Sequence, residues 1–178
     1  MEKLIYDGYV KIYDVERERE GKVDKFTKVA LRGASGGIVI NEEGKMALVK
    51  QYRPIIGHET LEIPAGTLDK NISKKDIIIE ELEEECGILK EDILSISDEP
   101  IISYSIIENM SDGLMHLFLV HVKTKDTKPQ DEDDVEEVNF YSLDEIDALI
   151  KRRTITDPKT LIAYFLYKDT LKWKKEIE

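Results

Sequence analysis

Residues 74–86 combine a clear helical pattern with an order of charges that an isolated helix disfavours. Ser73, with Asp76 three residues later, forms a helix-start signal, and Gly87 is a typical helix stop. The apolar residues between them recur at spacings of three and four, which predicts one apolar face: Ile78, Ile79, Leu82 and Cys86. The sequence therefore predicts a helix from Lys74 to Cys86.

Carboxylates crowd the second half of this helix, where all residues from 80 to 85 except one are glutamate. A helix carries partial negative charge at its C-terminus, so each misplaced carboxylate costs about 0.3–1 kcal/mol. The like-charged pairs Glu80–Glu84 and Glu81–Glu85, four residues apart, add about 0.2–0.5 kcal/mol each. A sequence that keeps such an arrangement is expected to hold a positive partner there, and a hard divalent cation takes carboxylate oxygens.

Two interpretations of these carboxylates stay open at this point. Glu81, Glu84 and Glu85 are predicted to share one helix face, opposite the apolar residues, which favours a metal site. The alternative is a solvated acidic face in an acidic protein, because runs of charge are usually exposed.

The segment before the helix favours the metal site. Residues 61–66 read as a short strand followed by a Pro-Ala-Gly turn. Gly66 allows the backbone to approach a ligand closely, and the carbonyl oxygen of Ala65 is a candidate metal ligand.

Together, residues 62–66 and 81–88 resemble the box of the Nudix hydrolase family. The matching positions, in register, are Gly66, Glu81, Leu82, Glu84, Glu85, Gly87 and Ile88. Two positions depart from the box: Ile72 stands where the family has Glu, and Glu80 stands where it has Arg. In the family those two residues support each other and orient the acidic helix.

Residues 51–54, Gln-Tyr-Arg-Pro, resemble the ADP-ribose pyrophosphatase branch of this family. The planar cation of Arg53 suits a diphosphate, although a surface ion pair is the alternative. The resemblance implies substrate contacts from Arg53, Glu62 and Ser111. In the loop that carries Ser111, the residues Glu108 and Asn109 replace the Pro-Gly pair of the branch.

A second acidic run occupies residues 131–137. In the resembling branch, a carboxylate just before the next strand activates water, and Glu132, Asp133 or Asp134 would have that role here. A disordered acidic loop is the alternative.

The resemblance implies metal-dependent hydrolysis of a nucleoside diphosphate linked to another group, such as ADP-ribose, giving a nucleoside monophosphate and a sugar phosphate. Mg²⁺ or Mn²⁺ would be the cofactor, with ligands from Ala65, Glu81, Glu84 and Glu85. Glu81 would also take part in catalysis. The rival hypothesis is a Nudix-fold nucleotide-binding or regulatory protein with impaired turnover, favoured by Ile72 and Glu80.

The implied fold is an α/β/α sandwich around a mixed β-sheet, with an N-terminal β-hairpin. Residues 1–32 are expected to form a strand pair that makes a homodimer, and residues 33–178 the Nudix domain. The hairpin is predicted as one strand over 4–20, a turn at 20–22 and a return strand over 26–31. The branch would draw base-binding aromatics from this hairpin, with Tyr9 and Phe26 as candidates, although ordinary sheet packing is the alternative.

Further strands are predicted over 98–107, 115–122 and 138–141, and helices after Ser142 and after Asp157-Pro158. The net charge of −12 argues against a nucleic-acid or anionic-membrane partner. The single cysteine, Cys86, is expected in the core and favours a reducing, cytoplasmic compartment.

Overall fold

A computed structural model describes residues 1–123, 128 and 135–177, without the side chains of 172–177. Its elements in chain order are β1 (Glu2–Asp7), β2 (Lys11–Arg19), β3 (Lys22–Ala30), β4 (Ala34–Ile40), β5 (Met46–Arg53), β6 (His58–Glu62), β7 (Ala65–Thr67), α1 (Lys74–Cys86), a 3-10 turn (Lys90–Asp92), β8 (Ile93–Ile96), β9 (Ile102–Ser105), β10 (Leu114–Val122), β11 (Val135–Tyr141), α2 (Leu143–Lys151) and α3 (Pro158–Ile177).

The N-terminal residues form an antiparallel sheet of three strands in the order β1-β2-β3. The turn predicted at 20–22 is confirmed at Glu20 and Gly21, which both have positive φ, whereas Lys22 already begins β3. The prediction of one strand over 4–20 is wrong, because the chain reverses between β1 and β2. Gly8 lies in this reversal, next to the hydroxyl end of the Tyr6 side chain.

The main sheet has eight strands, five of them in the order β11-β5-β4-β10-β8. β6 pairs with β5, β7 with β4 and β9 with β10. β4 and β10 run parallel and the other pairs are antiparallel, so the sheet is mixed.

Helices cover both faces of this sheet, which confirms the predicted α/β/α sandwich. On the α1 face, the buried residues are Val39, Ala47, Val49, Ile78, Leu82, Cys86, Ile88, Phe118, Val120, Val122, Val135 and Val138. On the face of α2 and α3, they are Ile38, Ile40, Met46, Leu48, Ile63, Met115, Leu117, Ile146, Ile155, Ala163, Tyr164 and Tyr167. Alternate residues of the central strands therefore supply two separate cores.

The bounds of α1 agree with the prediction. The Ser73 hydroxyl accepts the backbone N–H of Asp76, and Gly87 ends the helix in the left-handed region at φ 65°. The predicted apolar face needs one correction, because Ile77 is buried and Ile79 only partly so.

The predictions for the second half of the chain hold for the helices better than for the strands. The Ser142 capping box starts α2, and the Asp157 carboxylate accepts the backbone N–H of Thr160 at the start of α3. The strand predicted over 98–107 is confined to β9, and β8 was not predicted at all. No described helix is both long and apolar enough to cross a membrane.

Candidate active site

The acidic helix meets the sheet at Gly66, in the short strand β7. Ser35 of β4 is the register partner of Gly66. A Cβ added at Gly66 would lie 1.8 Å from Oε1 of Glu81 and 2.2 Å from its carboxyl carbon. The carboxylate of Glu81 therefore lies directly on the backbone of residue 66, in space that any other residue would fill.

Glu85 lies one turn further along α1 and points into the protein. Only 4% of the residue is exposed. Its Oε1 accepts a hydrogen bond from Nε2 of Gln51 at 2.7 Å, and its Oε2 accepts the backbone N–H of Ala65 at 3.0 Å. Burying a carboxylate is costly without such donors.

The expectation that all three glutamates lie opposite the apolar residues is therefore wrong for Glu85, which is buried. Glu85 lies at the edge of the apolar face, because β5 and β7 supply donors beneath it. Ala65 contacts this carboxylate through its N–H group. The role of the Ala65 carbonyl as a metal ligand stays a prediction.

The misplaced charges of α1 have a positive partner that was given no role from the sequence. Lys70, in the loop between β7 and α1, places its Nζ 2.5 Å from Oε2 of Glu80 and 3.8 Å from Oε1 of Glu84. The hydrogen bond to Glu80 raises the pKa of Lys70 above its ordinary value. Glu80, which departs from the family pattern, is thus neutralised by a neighbouring loop.

Glu62 is the centre of a buried ionic network at the end of β6. Arg53 donates to it through Nε at 2.8 Å and through Nη2 at 2.5 Å, and the Thr60 hydroxyl donates at 2.5 Å. The ammonium group of Lys159 contacts the same carboxylate. Burial raises the pKa of Glu62, but the Arg53 and Lys159 contacts outweigh it and lower the pKa to about 2.

The same network fixes Arg53, the predicted phosphate ligand. Its bidentate pair with Glu62 holds the guanidinium in one orientation, while 43% of the side chain is exposed. Arg53 and Glu62 therefore form an ion pair, although not the surface pair of the alternative interpretation, since Glu62 is buried. Their roles in substrate binding stay a prediction.

The loop with Ser111 lies against the N-terminal sheet. The N–H of Val29 donates to the carbonyl of Met110 at 2.7 Å, and Lys28 pairs with Asp112 at 3.1 Å. Ser111 accepts the N–H of Gly113 through its hydroxyl. Beside these contacts, a cavity of about 350 Å³ lies between this loop and the strands β2 and β3. Both Ser111 and Phe26 line it.

Three predicted catalytic residues, Glu132, Asp133 and Asp134, lie outside the described residues. Within the described ranges, no three acidic, histidine or cysteine side chains lie together closely enough to hold a metal ion. The predicted ligands nevertheless have suitable chemistry, because they are carboxylates on a helix and Gly66 leaves room for one of them.

Four residues that contact the predicted site were given no role from the sequence. They are Gln51, Thr60, Lys70 and Lys159. Lys70 had a weak signal, since it is a cation four residues before a helix whose C-terminal half is acidic. Lys159 had none, because its contact with Glu62 spans 97 residues.

Comparisons with known proteins identify the family to which the chain belongs. The NUDIX domain family model matches residues 30–164. The chain is 33% identical over 177 residues to the methanol dehydrogenase activator of Bacillus methanolicus, with 96% of this chain and 92% of the relative covered. It is 30% identical over 175 residues to the ADP-ribose pyrophosphatase of Bacillus subtilis (strain 168), with 96% and 90% covered.

Proposed function

Because the chain belongs to the Nudix family and is a hydrolase of pyrophosphate bonds, we propose that its substrate is a nucleoside diphosphate linked to another group. ADP-ribose is the first candidate, since the B. subtilis relative is an ADP-ribose pyrophosphatase. The observation that carries the proposal is the Glu81 carboxylate lying on Gly66, one helical turn from the buried Glu85. The expected products are a nucleoside monophosphate and a sugar phosphate.

Mg²⁺ or Mn²⁺ belongs to this proposal, with Glu81, Glu84, Glu85 and the Ala65 carbonyl as its ligands. Such an ion neutralises diphosphate charge and acidifies a bound water. The protein orients these ligands through Gln51, which holds one oxygen of Glu85, and through the close approach at Gly66.

Arg53 is proposed to bind a phosphate of the substrate. Glu62 holds its guanidinium, and the exposed part of the side chain remains at the surface. Ser111 is proposed to contact the sugar or base end of the substrate from the cavity beside β3. The base that takes a proton from water is proposed to be Glu132, Asp133 or Asp134.

A panel of nucleoside diphosphate derivatives, incubated with Mg²⁺ or Mn²⁺ and assayed for released phosphomonoester, tests this function. We expect turnover of ADP-ribose or a related compound. The Glu85→Gln variant should lose about 10- to 100-fold in rate, because a ligand and the acceptor of two hydrogen bonds are altered together.

Glu83→Gln is the matched control, since Glu83 is an exposed glutamate of the same helix. It should keep the wild-type rate. Unchanged rates in Glu85→Gln would contradict the ligand assignment, and binding of nucleotides without turnover of any of them would contradict the substrate class.

A regulatory role is the second candidate, favoured by the similarity to the methanol dehydrogenase activator. In that case the chain would act on a partner enzyme, with or without turnover of a nucleotide. A coupled assay of an alcohol dehydrogenase with and without this protein separates the two, because an activator raises the dehydrogenase rate and a plain hydrolase does not raise it.

The proposal also includes a homodimer in a cytoplasmic, reducing compartment. The exposed apolar residues of the N-terminal sheet support the dimer. The compartment is supported by the single cysteine, Cys86, which is buried in the core and cannot form a disulfide within these 178 residues.

A further inference from the structure

A lysine lies against the carboxylates that are proposed to bind metal. Lys70 is 2.5 Å from Glu80 and 3.8 Å from Glu84, and among the described residues it is the ion-pair partner of both. It comes from the loop before α1, not from the helix itself. A positive charge thus already lies where the acidic helix favours one.

We propose that Lys70 is a built-in counter-ion that competes with the metal for Glu84 and so lowers the metal affinity of the site. The inference rests on the proposed function, because it takes Glu81, Glu84 and Glu85 as the metal ligands. Lys70 would thus set the metal affinity of the site without being a ligand itself.

The two distances suggest how the exchange proceeds. Lys70 donates a hydrogen bond to Glu80, whereas its distance to Glu84 allows only a weaker electrostatic contact. A lysine is a point charge on a flexible chain and can leave one carboxylate while it keeps another. When metal takes Glu84, Lys70 therefore stays on Glu80, but its charge still repels the ion.

The size of the effect is limited by solvent. The side chain of Lys70 is 46% exposed and that of Glu84 is 41% exposed, so water and salt screen the repulsion. A single charge a few ångströms from a divalent ion in such surroundings changes its affinity by about three- to tenfold. Removal of the charge should strengthen metal binding by that factor.

The test measures Mn²⁺ binding directly, from the electron paramagnetic resonance signal of free Mn²⁺, with the full chain and without nucleotide. We expect Lys70→Met and Lys70→Gln to lower the dissociation constant about three- to tenfold. Lys70→Arg, which keeps the charge, should bind like the wild type. High ionic strength should reduce the difference between Lys70→Met and wild type.

Lys75→Met is the control for net charge. Lys75 lies in the first turn of α1 and pairs with Asp98 at 3.2 Å, away from the acidic run. It removes the same unit of charge, and its dissociation constant should stay at the wild-type value. Equal strengthening in Lys75→Met would overturn the inference in favour of net charge alone.

The remaining outcomes separate this inference from the proposed function. If the wild type binds Mn²⁺ and both Lys70→Met and Lys70→Gln bind it equally or more weakly, Lys70 is not a competitor and only the inference is overturned. If the wild type takes up no Mn²⁺, the inference is overturned, and the same result with nucleotide added overturns the metal part of the proposed function as well.

Discussion

The proposed site depends on the lack of a side chain at residue 66. The Glu81 carboxylate occupies the place of a Cβ there, so the glycine is required by a close approach and not by an unusual backbone angle. The missing Cβ at residue 66 therefore leaves the space that the predicted catalytic carboxylate occupies.

Gly66→Ala is expected to move Glu81 by the width of a methyl group. Stability should fall by about 1–3 kcal/mol, and turnover by about 100-fold, since a shift of this size disrupts a reacting geometry. Denaturant unfolding and the phosphomonoester assay measure the two effects.

Gly36→Ala is the matched control for overpacking. Its Cβ would lie 3.0 Å from Cδ2 of Leu117 and 3.2 Å from Cδ1 of Ile63, on the opposite face of the sheet. It should lose stability and keep its turnover rate. Full activity in Gly66→Ala would show that Glu81 does not need its place on residue 66.

At the scale of elements, the start of α3 is attached to β6 by buried polar contacts. Lys159 pairs with Glu62, and the N–H of Ile63 donates to the Thr160 hydroxyl at 2.9 Å. Since Glu62 also holds Arg53, the terminal helix supports the predicted phosphate ligand without touching it.

Lys159→Met is expected to cost about 1–3 kcal/mol in the free energy of unfolding, because buried Glu62 would lose one of its two cations. Lys168→Met, on the same helix, is the control. Its ion pair with Asp147 is more exposed, and its loss should cost less than about 1 kcal/mol. Equal losses in the two variants would contradict the network at Glu62.

The effect of Lys159→Met should also depend on pH. The pKa of Glu62 is lowered from 4.5 to about 2 in the folded protein, so its contribution to stability is complete above pH 4.5 and is lost as the pH falls toward 2. The stability difference between variant and wild type should therefore shrink on acidification. Urea unfolding at neutral pH and at about pH 3 measures this change.

At the scale of the whole molecule, the N-terminal sheet exposes several apolar side chains to solvent. The exposed ones are Leu4, Ile5, Tyr6, Tyr9, Val23 and Phe26. A three-stranded sheet with such residues in water is unusual for an isolated chain, and a partner that covers them is the simplest explanation. A second copy of the chain is the proposed partner.

Light scattering after size-exclusion chromatography should give the mass of a dimer. Replacing both Ile5 and Val23 with Glu should shift the mass to that of a monomer, because charged groups would then enter the interface. Phe165→Glu, a change at an exposed aromatic residue of α3, should leave the dimer intact. A wild-type monomer would contradict the proposed role of residues 1–32.

The sequence by itself determined the features that depend on neighbouring residues. The start and end of α1 follow from Ser73 and Gly87, and the starts of α2 and α3 from Ser142 and Asp157. The spacing of Gly66 from the acidic run predicted that this residue and the helix act together, although Gly66 lies in β7 and not in the predicted turn. Caps and periodic patterns are local, so a chain read in order contains them in full.

Only the tertiary structure decided which groups face these residues. It placed Glu85 inside the protein, since its donors come from β5 and β7, 34 and 20 residues away in sequence. It brought Lys159 to Glu62 across 97 residues and set Lys70 against Glu80. Burial and charge neutralisation depend on which strands become neighbours, and a one-dimensional pattern does not state this.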